Sequence, residues 1–248
     1  IYCRLDTTSY MYLAQDVIGD FVVQLAGAPT VRIRNDMSIQ YVNISVVGDA
    51  SYLVEILNRT VIYLPSVMQL GRSPYGKVIM GDNTYLLSPW SVYTSGSAVN
   101  WKIDNVTAKG FALTGNSSNW SWTTTATDFD GEVAPYHFTS CNCTHVNFTL
   151  VVERIRVLTV VPYVVYFADN LTFVRLNFTA SDNDFNYANN SLVMADRVTC
   201  ANVVSAWNLD GNVYRGAGFG IYANSTNLQI NHHNRNRYYD GHIRCRIG

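Results

Sequence analysis

The chain is dominated by short segments in which apolar and polar residues alternate. Such alternation places one set of side chains on each face of a β-strand, so that one face can be buried. β-Branched and aromatic residues, which favour strands, recur throughout these segments. The clearest segments are 21–25, 31–33, 41–47, 61–64, 78–80, 146–152, 157–161, 163–167 and 173–178. The pattern predicts an all-β protein of short strands.

Turn-forming residues separate these segments, as a chain of short strands requires. The strongest turn signals are Gly81-Asp82-Asn83, Asp130-Gly131 and Asp210-Gly211-Asn212. Helical periodicity is scarce, and the two short candidates are residues 10–18 and residues 50–57.

The C-terminal part carries a pattern that resembles an immunoglobulin sandwich. Cys200 is followed by Trp207 and, near the end of the chain, by Cys245. In immunoglobulin domains a core Trp packs on the disulfide that joins two strands, so the resemblance implies a Cys200–Cys245 bridge. The length allows two medium domains. We therefore expect two β-sandwich units, residues 1–158 and an immunoglobulin-like 159–248, with another one-bridge sandwich as the alternative for the second.

Alternation also predicts the side-chain directions around Trp120-Ser121-Trp122. Both indoles face one side of a strand, and Asn119 and Ser121 face the other, so we expect both Trp residues in the core. Asn147-Phe148-Thr149 and Asn177-Phe178-Thr179 repeat one local pattern 30 residues apart, which is consistent with equivalent strands.

The chain holds eleven Asn-X-Ser/Thr sequons, the acceptor pattern for N-glycosylation, and random placement of its residues would give roughly four. A sequon is used only in the secretory pathway, so the excess predicts an exported chain whose sequons face solvent. The sequons begin at Asn43, Asn58, Asn105, Asn116, Asn119, Asn142, Asn147, Asn170, Asn177, Asn189 and Asn224.

Charged residues make up 14% of the chain, against about 25% in ordinary soluble proteins. Glycans would supply the hydration that the missing charges do not. The net charge is −1, so no field attracts nucleic acid or anionic lipid, and neither is expected as a partner.

Five cysteines fit an oxidising compartment, and the odd number leaves one without a partner in this chain. A bridge from Cys3 to Cys141 or Cys143 is one plausible pairing, which would staple the N-terminus to a later strand. The cysteines are Cys3, Cys141, Cys143, Cys200 and Cys245. The longest apolar run, 157–168, is too short for a membrane span of about 20 residues. We interpret the chain as a processed ectodomain whose anchor, if any, lies outside it.

The sequence offers little catalytic or metal-binding chemistry. His137 and His145 flank the pair Cys141 and Cys143, but zinc sites use wider cysteine spacing and a second ligand pair. The acidic runs 128–132 and 182–186 lack the Gly and Glu of a calcium-binding EF-hand loop. The histidines after residue 231 lie in a polar stretch that is typical of a solvated loop. We assign no catalytic residue, metal or cofactor.

Dense sequons, low charge and the immunoglobulin-like pattern together resemble the ectodomain of a viral envelope or immune-evasion glycoprotein. Trp120-Ser121-Trp122 followed by Thr127-Asp128-Phe129 is similar to a segment of herpesvirus attachment glycoproteins. The size and sequon load are similar to those of a coronavirus-type spike N-terminal domain. The resemblance implies an extracellular protein, on the virion surface or secreted, that binds a host cell-surface protein or glycan, or another envelope subunit. The alternatives are a host adhesion or structural glycoprotein and, more remotely, a glycan-active enzyme.

Segments without sequons are the natural places for contact with a partner. They are residues 1–40, 60–104 and 227–248, and the second is rich in aromatic residues. Tyr and Trp are enriched at interface hot spots. The candidate binding face predicted from this segment consists of Tyr75, Tyr85, Trp90 and Tyr93.

Overall fold

The structure is a computed structural model of the 248-residue chain. It describes the backbone of residues 1–13, 15–34, 36–71, 75–139, 143–167, 171–185, 188–195, 199–200, 205–210, 212–215, 220–223, 228–232, 237–239 and 244–247. Side chains are described for the residues of these ranges up to 185, apart from 97 and 172–175. The side chain of residue 212 is also described.

The chain coils into a parallel β-solenoid. Strands within the coil pair in parallel with the strands one coil earlier and one coil later. Paired residues lie from 20 positions apart (Met11 and Val31) to 29 positions apart (His137 and Tyr166). Three parallel ladders result, which we call faces A, B and C. Within one coil the chain passes along A, then B, then C, and returns to A beside its starting strand.

Most strands belong to one face, and four strands continue from one face to the next. Face A comprises β1 (Tyr2–Leu5), the ends of β3 (Val17–Leu25) and β5 (Ser38–Val46), β8 (Ser66–Leu70), the starts of β11 (Trp90–Asp104) and β13 (Phe111–Thr125), β15 (Tyr136–Phe138), β18 (Val161–Phe167) and β21 (Ala188–Ala195). Face B comprises β2 (Tyr10–Leu13), β4 (Thr30–Ile33), β6 (Leu53–Ile56), β9 (Lys77–Met80), the ends of β11 and β13, β16 (Thr144–Glu153), β19 (Thr172–Ser181), β22 (Thr199–Cys200), β23 (Ser205–Asp210) and β26 (Leu228–His232).

Face C is built from shorter strands. It comprises the starts of β3 and β5, β7 (Val61–Ile62), β10 (Thr84–Leu86), β12 (Val106–Ala108), β14 (Asp128–Phe129), β17 (Arg156–Val157), β20 (Asp184–Phe185), β24 (Val213–Arg215) and β27 (Arg237–Tyr239). The remaining strands, β25 (Gly220–Ala223) and β28 (Arg244–Ile247), pair only with each other.

The prediction of an all-β protein is confirmed, but the prediction of two β-sandwich units, one immunoglobulin-like, is wrong. A sandwich pairs neighbouring strands through antiparallel hairpins, whereas the pairs here are parallel and join strands one coil apart. The ladders also continue past residue 158, since β16 pairs with β19 and β15 with β18. Trp207 lies on β23 opposite Phe178. The side chains of Cys200, Trp207 and Cys245 lie outside the described part of the structure.

Both short helical candidates are strands. Residues 10–13 form β2 and residues 53–56 form β6, each in register with a neighbouring coil. Ladder pairing of Met11 and Val54 with inward residues of adjacent coils outweighs their weak local helical pattern. Within the described residues, no helix has the length and apolar character needed to cross a membrane.

Inward side chains of successive coils stack into a continuous core. On face B the column is Val31, Val54, Val78, Trp101, Trp122, Leu150 and Phe178, and all are buried. Trp101 and Trp122 occupy equivalent positions and stack with ring centroids 4.6 Å apart. The predicted burial of Trp120 and Trp122 is confirmed, because they are only 2% and 0% exposed. Each such buried side chain stabilises the fold by roughly 1.5–3 kcal/mol.

A tight turn joins face B to face C in each coil. Asn58, Asn83 and Asn105 occupy this turn with φ near +60°, a left-handed conformation that Asn tolerates better than most residues. The turns also stack: the Asn83 N–H donates to the Asn105 carbonyl at 2.9 Å. The turn predicted at Gly81-Asp82-Asn83 is therefore confirmed, and its stacking keeps the three faces aligned.

Candidate binding edge

The corner at which face C turns into face A is built around prolines. Pro65, Pro89 and Pro135 directly precede the face A strands β8, β11 and β15. Proline has no N–H to donate and a fixed φ, so it suits the first residue of a strand rather than its middle. These residues end the face C ladder and redirect the chain, which leaves the intervening side chains outside the sheets.

The residues that follow the face C strands form a stacked outward column at this corner. Their alignment is set by backbone hydrogen bonds, such as the Leu87 N–H to the Ile62 carbonyl at 2.9 Å and the Leu158 N–H to the Phe129 carbonyl at 2.7 Å. Large apolar side chains dominate the surface of the corner. With their exposed fractions they are Ile18 (99%), Tyr63 (47%), Leu64 (43%), Leu87 (40%), Val133 (47%), Leu158 (44%) and Val160 (60%).

We call these seven residues the C–A edge. Single exposed apolar residues are ordinary on protein surfaces, but a row of them along one corner is typical of an interaction site. Other exposed apolar side chains are distributed over the terminal coil, the corner between faces A and B, and the outward sides of faces A and C; they include Tyr2, Val47, Tyr85 and Tyr93.

Few charges interrupt the edge. Lys109 donates through Nζ to the carboxylate of Asp130 at 3.0 Å and to its carbonyl at 3.1 Å. Both side chains are about one-third exposed, so the ion pair contributes little stability. Near the first coil, Asp16 accepts the Ser38 N–H at 2.7 Å. Neither Asp16 nor Glu132 forms an ion pair with any side chain that the structure describes, and Glu132 is the one that lies beside Val133.

Three clefts open along this corner. One, of about 390 Å³, lies between Ile18 and Tyr63. A second, also about 390 Å³, is bordered by Leu87 and the Lys109–Asp130 ion pair. The third, about 260 Å³, lies on the other side of residues 132–133 and reaches face A. The edge therefore combines exposed apolar surface with concave sites, as protein and ligand sites do.

The third cleft is lined by aromatic rings, and we call it the aromatic cleft. The Tyr163 and Tyr166 rings are nearly parallel, at 20°, with centroids 5.6 Å apart. His137 is the ladder partner of Tyr166 and meets its ring at 79° with centroids 5.0 Å apart. Burial lowers the pKa of His137, which keeps the imidazole neutral at neutral pH. Val133 and Pro162 also line the cleft, with Glu132 at its rim.

The sequon asparagines with described side chains lie mainly away from this edge. Asn58 and Asn105 lie in the B–C turn, Asn116 at the A–B corner, and Asn119, Asn147 and Asn177 on face B. All but the half-buried Asn58 are exposed. Asn119 and Asn147 are direct partners on adjacent coils.

Two further sequons lie close to the C–A edge and limit the part of it that glycans would leave uncovered. Asn43, half-buried on face A, lies near its N-terminal end. Asn189 lies on β21, the strand beside β18, and only its backbone is described. Asn142, Asn170 and Asn224 fall outside the described residues.

The binding face predicted from the sequence is not one surface. Trp90 is only 1% exposed and packs edge-on against Trp101, so its assignment to a binding face is wrong. Tyr85 points outward from face C, and Tyr93 points outward from face A, on either side of the C–A edge. Tyr75, 78% exposed, lies at the A–B corner. Alternation along each strand determines whether a side chain points inward or outward. The number of aromatic residues in the segment, on which the predicted binding face was based, does not indicate these directions.

Cys3 carries a free thiol, so the staple from Cys3 to Cys141 or Cys143 suggested by the sequence is not formed. Cys143 is buried and disulfide-bonded, with its partner outside the described side chains. Cys141 itself lies outside the described residues. His145 is buried beside Trp120, and its Nδ1 lies 2.7 Å from Ser117 Oγ. No group of three or more potential metal ligands occurs among the residues that the structure describes.

No family model, curated protein or solved structure matches this chain.

The sequence alone did not single out His137, Tyr163 and Tyr166 as one aromatic site. Tyr166 is 29 positions after its ladder partner, and no local pattern links them. The available signal was the recurrence of proline shortly after outward apolar residues, which marks the same corner in three coils.

Proposed function

We propose that this protein is an extracellular binding module that engages its partner through the C–A edge, with N-glycans covering other parts of its surface. The dense sequons and the low charge, which are the features of the resemblance that do not depend on an immunoglobulin-like fold, favour a viral surface glycoprotein with a host receptor or immune ligand as the partner. The observation that carries the proposal is the separation between sequons and exposed apolar residues. Glycans at the B–C turn, the A–B corner and face B would leave the C–A edge accessible, together with the adjoining outward sides of faces A and C.

The shape of the solenoid supports this role. Stacked coils present equivalent positions at the spacing of adjacent strands, about 4.8 Å. Tyr63, Leu87 and Leu158 therefore belong to one row of outward side chains rather than to scattered loops, and the Lys109–Asp130 ion pair occupies the two coils between Leu87 and Leu158. Such a row provides an elongated contact surface on a rigid scaffold, which lowers the entropy lost on binding.

The first test establishes the glycan coat. Protein made in a eukaryotic secretory host is compared by intact mass before and after enzymatic deglycosylation, followed by mapping of the occupied asparagines. We expect glycans at the exposed sites Asn105, Asn119, Asn147 and Asn177. A protein that runs at its polypeptide mass of 27.8 kDa would remove the basis of the proposal.

The second test places a new glycan on the edge. Pro89→Asn creates a sequon with Ser91 as its third residue, at the exposed start of a face A strand. The matched control, Thr123→Asn, creates a sequon with Thr125 on the outward side of face B and leaves the Asn119 sequon intact.

Binding of each glycosylated variant to a panel of host cell lines is measured by flow cytometry. We expect the edge variant to lose binding and the face B variant to keep it, with both melting like the parent protein. Retained binding by the glycosylated Pro89→Asn variant, or no cell binding by the parent, would contradict the proposed function.

A further inference from the structure

The aromatic cleft and the adjoining ion-pair cleft share the Glu132–Val133 segment. Three ring systems line the cleft on one side of this segment, Asp130 lines the cleft on the other, and Glu132 borders both. This combination of π-faces with uncompensated negative charge is not required by the solenoid, whose ladders are already satisfied by backbone hydrogen bonds. The rings and the exposed carboxylate of Glu132 are therefore available to an occupant outside the chain.

Charge at the shared segment is unbalanced. Asp130 and Glu132 supply two carboxylates, and Lys109 supplies one cation that is already paired with Asp130 Oδ2. The other carboxylate oxygen of Asp130, Oδ1, is buried and has no hydrogen-bond partner among the described residues. His137 adds no positive charge while it is neutral. A positively charged donor group is the chemistry that this segment lacks.

We infer that the aromatic cleft binds a cationic side chain, most naturally an arginine, of the partner that docks on the C–A edge. The guanidinium group stacks on the tyrosine rings of the cleft and donates hydrogen bonds to the carboxylate of Glu132. The inference rests on the proposed function and identifies the chemistry by which the edge selects its partner.

Arginine matches the site better than the alternatives. Its planar guanidinium stacks on aromatic faces and donates in a fork that fits a carboxylate. A cation over a tyrosine face gains attraction from the ring quadrupole as well as from Glu132. A neutral sugar could also stack on Tyr163 or Tyr166, but it would leave the charge of Glu132 uncompensated.

The test uses small probes, because the partner is unidentified. Acetyl-arginine amide, its neutral isostere acetyl-citrulline amide, and methyl β-glucoside are titrated into the full glycoprotein, and affinity is measured by saturation-transfer NMR. Because Asn189 lies on the neighbouring strand, the titration is repeated after deglycosylation. We expect the arginine probe to bind about tenfold more tightly than the citrulline probe.

Two substitutions assign the effect to the cleft. Glu132→Gln keeps the shape of the side chain and should abolish the preference for arginine over citrulline. Tyr166→Leu should weaken binding of both probes. The controls are Glu153→Gln, which removes a carboxylate paired with Arg154 beyond face B, and Tyr85→Leu, which removes an exposed tyrosine from face C. Both controls should bind like the parent.

Equal binding of the arginine and citrulline probes, no binding of either, or preferential binding of the glucoside would overturn the inference. So would an arginine preference that survives Glu132→Gln. These outcomes are separable from failure of the proposed function. If Pro89→Asn abolishes cell binding but Glu132→Gln does not alter the probe preference, the edge remains the binding surface and the inferred arginine site is wrong.

Discussion

Asn183 donates a hydrogen bond from its side-chain amide to Oδ1 of Asn212, 2.8 Å away in the next coil. Both residues are buried where face B turns into face C. Asn183 also accepts the Ile155 N–H at 2.9 Å and donates to the Val152 carbonyl at 3.1 Å. One side chain thus satisfies backbone groups of its preceding coil and links to the following one.

Replacing Asn183 with Ala should therefore destabilise the solenoid strongly. The substitution leaves a buried N–H and a buried carbonyl without their partners, at a cost of about 2–4 kcal/mol. Urea denaturation measures the change. Asn100→Ala, at an exposed outward position of β11, is the matched control and should cost little. Equal losses in the two variants would show that the buried amide is not a structural link.

His145 should make stability depend on pH. Burial lowers its pKa from 6.5 to about 4, so the unfolded chain binds this proton first as the pH falls. The stabilisation is fully present above pH 6.5 and is lost progressively down to pH 4. The loss amounts to about 3 kcal/mol from this residue.

The measurement is the difference in unfolding free energy between the parent and His145→Gln across that pH range. The variant keeps a polar group near Ser117 but cannot titrate, so the difference should itself change with pH. A constant difference would contradict the prediction. His137→Gln is the comparison, because His137 is only half-buried and should contribute a smaller slope.

Ala126 occupies the B–C turn with φ of +46°, where its Cβ is strained. Glycine adopts this conformation without strain, so Ala126→Gly should raise stability by up to about 1 kcal/mol. Thermal melting provides the measurement. Ala112→Gly, on an outward position of β13, should instead lower stability, because glycine is unfavourable within a strand. Destabilisation by both substitutions would refute the assignment of strain to residue 126.

Alanine substitutions at Gly115 and Gly96 distinguish the cost of backbone strain from the cost of a steric clash. Both have positive φ, +111° and +86°, but a Cβ at Gly115 would lie 1.9 Å from the Thr94 carbonyl oxygen, whereas one at Gly96 meets no atom within 4 Å. Gly96→Ala should cost about 1–2 kcal/mol. Gly115→Ala should cost more, by roughly 1–3 kcal/mol, because adjacent coils must move apart. Chemical denaturation of both variants tests the order, and equal costs would contradict it.

The sequons acquire a second physical explanation in this fold. In four of them, beginning at Asn43, Asn119, Asn147 and Asn177, the middle residue is an inward apolar side chain of a strand. Alternating strands with small polar outward residues produce Asn-X-Ser/Thr more often than random placement does. The deglycosylation measurement is therefore decisive, because it distinguishes used sequons from a by-product of alternation.

Several residues show which structural features the local sequence pattern predicts and which it does not. Trp120 and Trp122 were placed in the core from alternation alone, and the Asp82–Asn83 turn from its residue types. The equivalence of the strands around Phe148 and Phe178 also holds, since β16 and β19 pair. Their register does not follow the repeated tripeptide, however: Asn177 lies opposite Thr149 rather than Asn147. The packing of inward residues sets the register, and the tripeptide does not.

The sequence by itself determined that this protein is made of short strands, and it identified several of the side chains that those strands bury. Alternation of apolar and polar residues with a period of two specifies which side chains share a face of a strand. The same alternation occurs in an antiparallel sandwich and in a parallel coil. Only the tertiary structure decided that each strand pairs with one 20 to 29 positions away. That choice depends on contacts between distant residues, and the varying coil length hides the repeat from any fixed period. It also decided that Tyr63, Leu87 and Leu158 form one edge, because only stacking of the coils brings residues so far apart in sequence onto one corner.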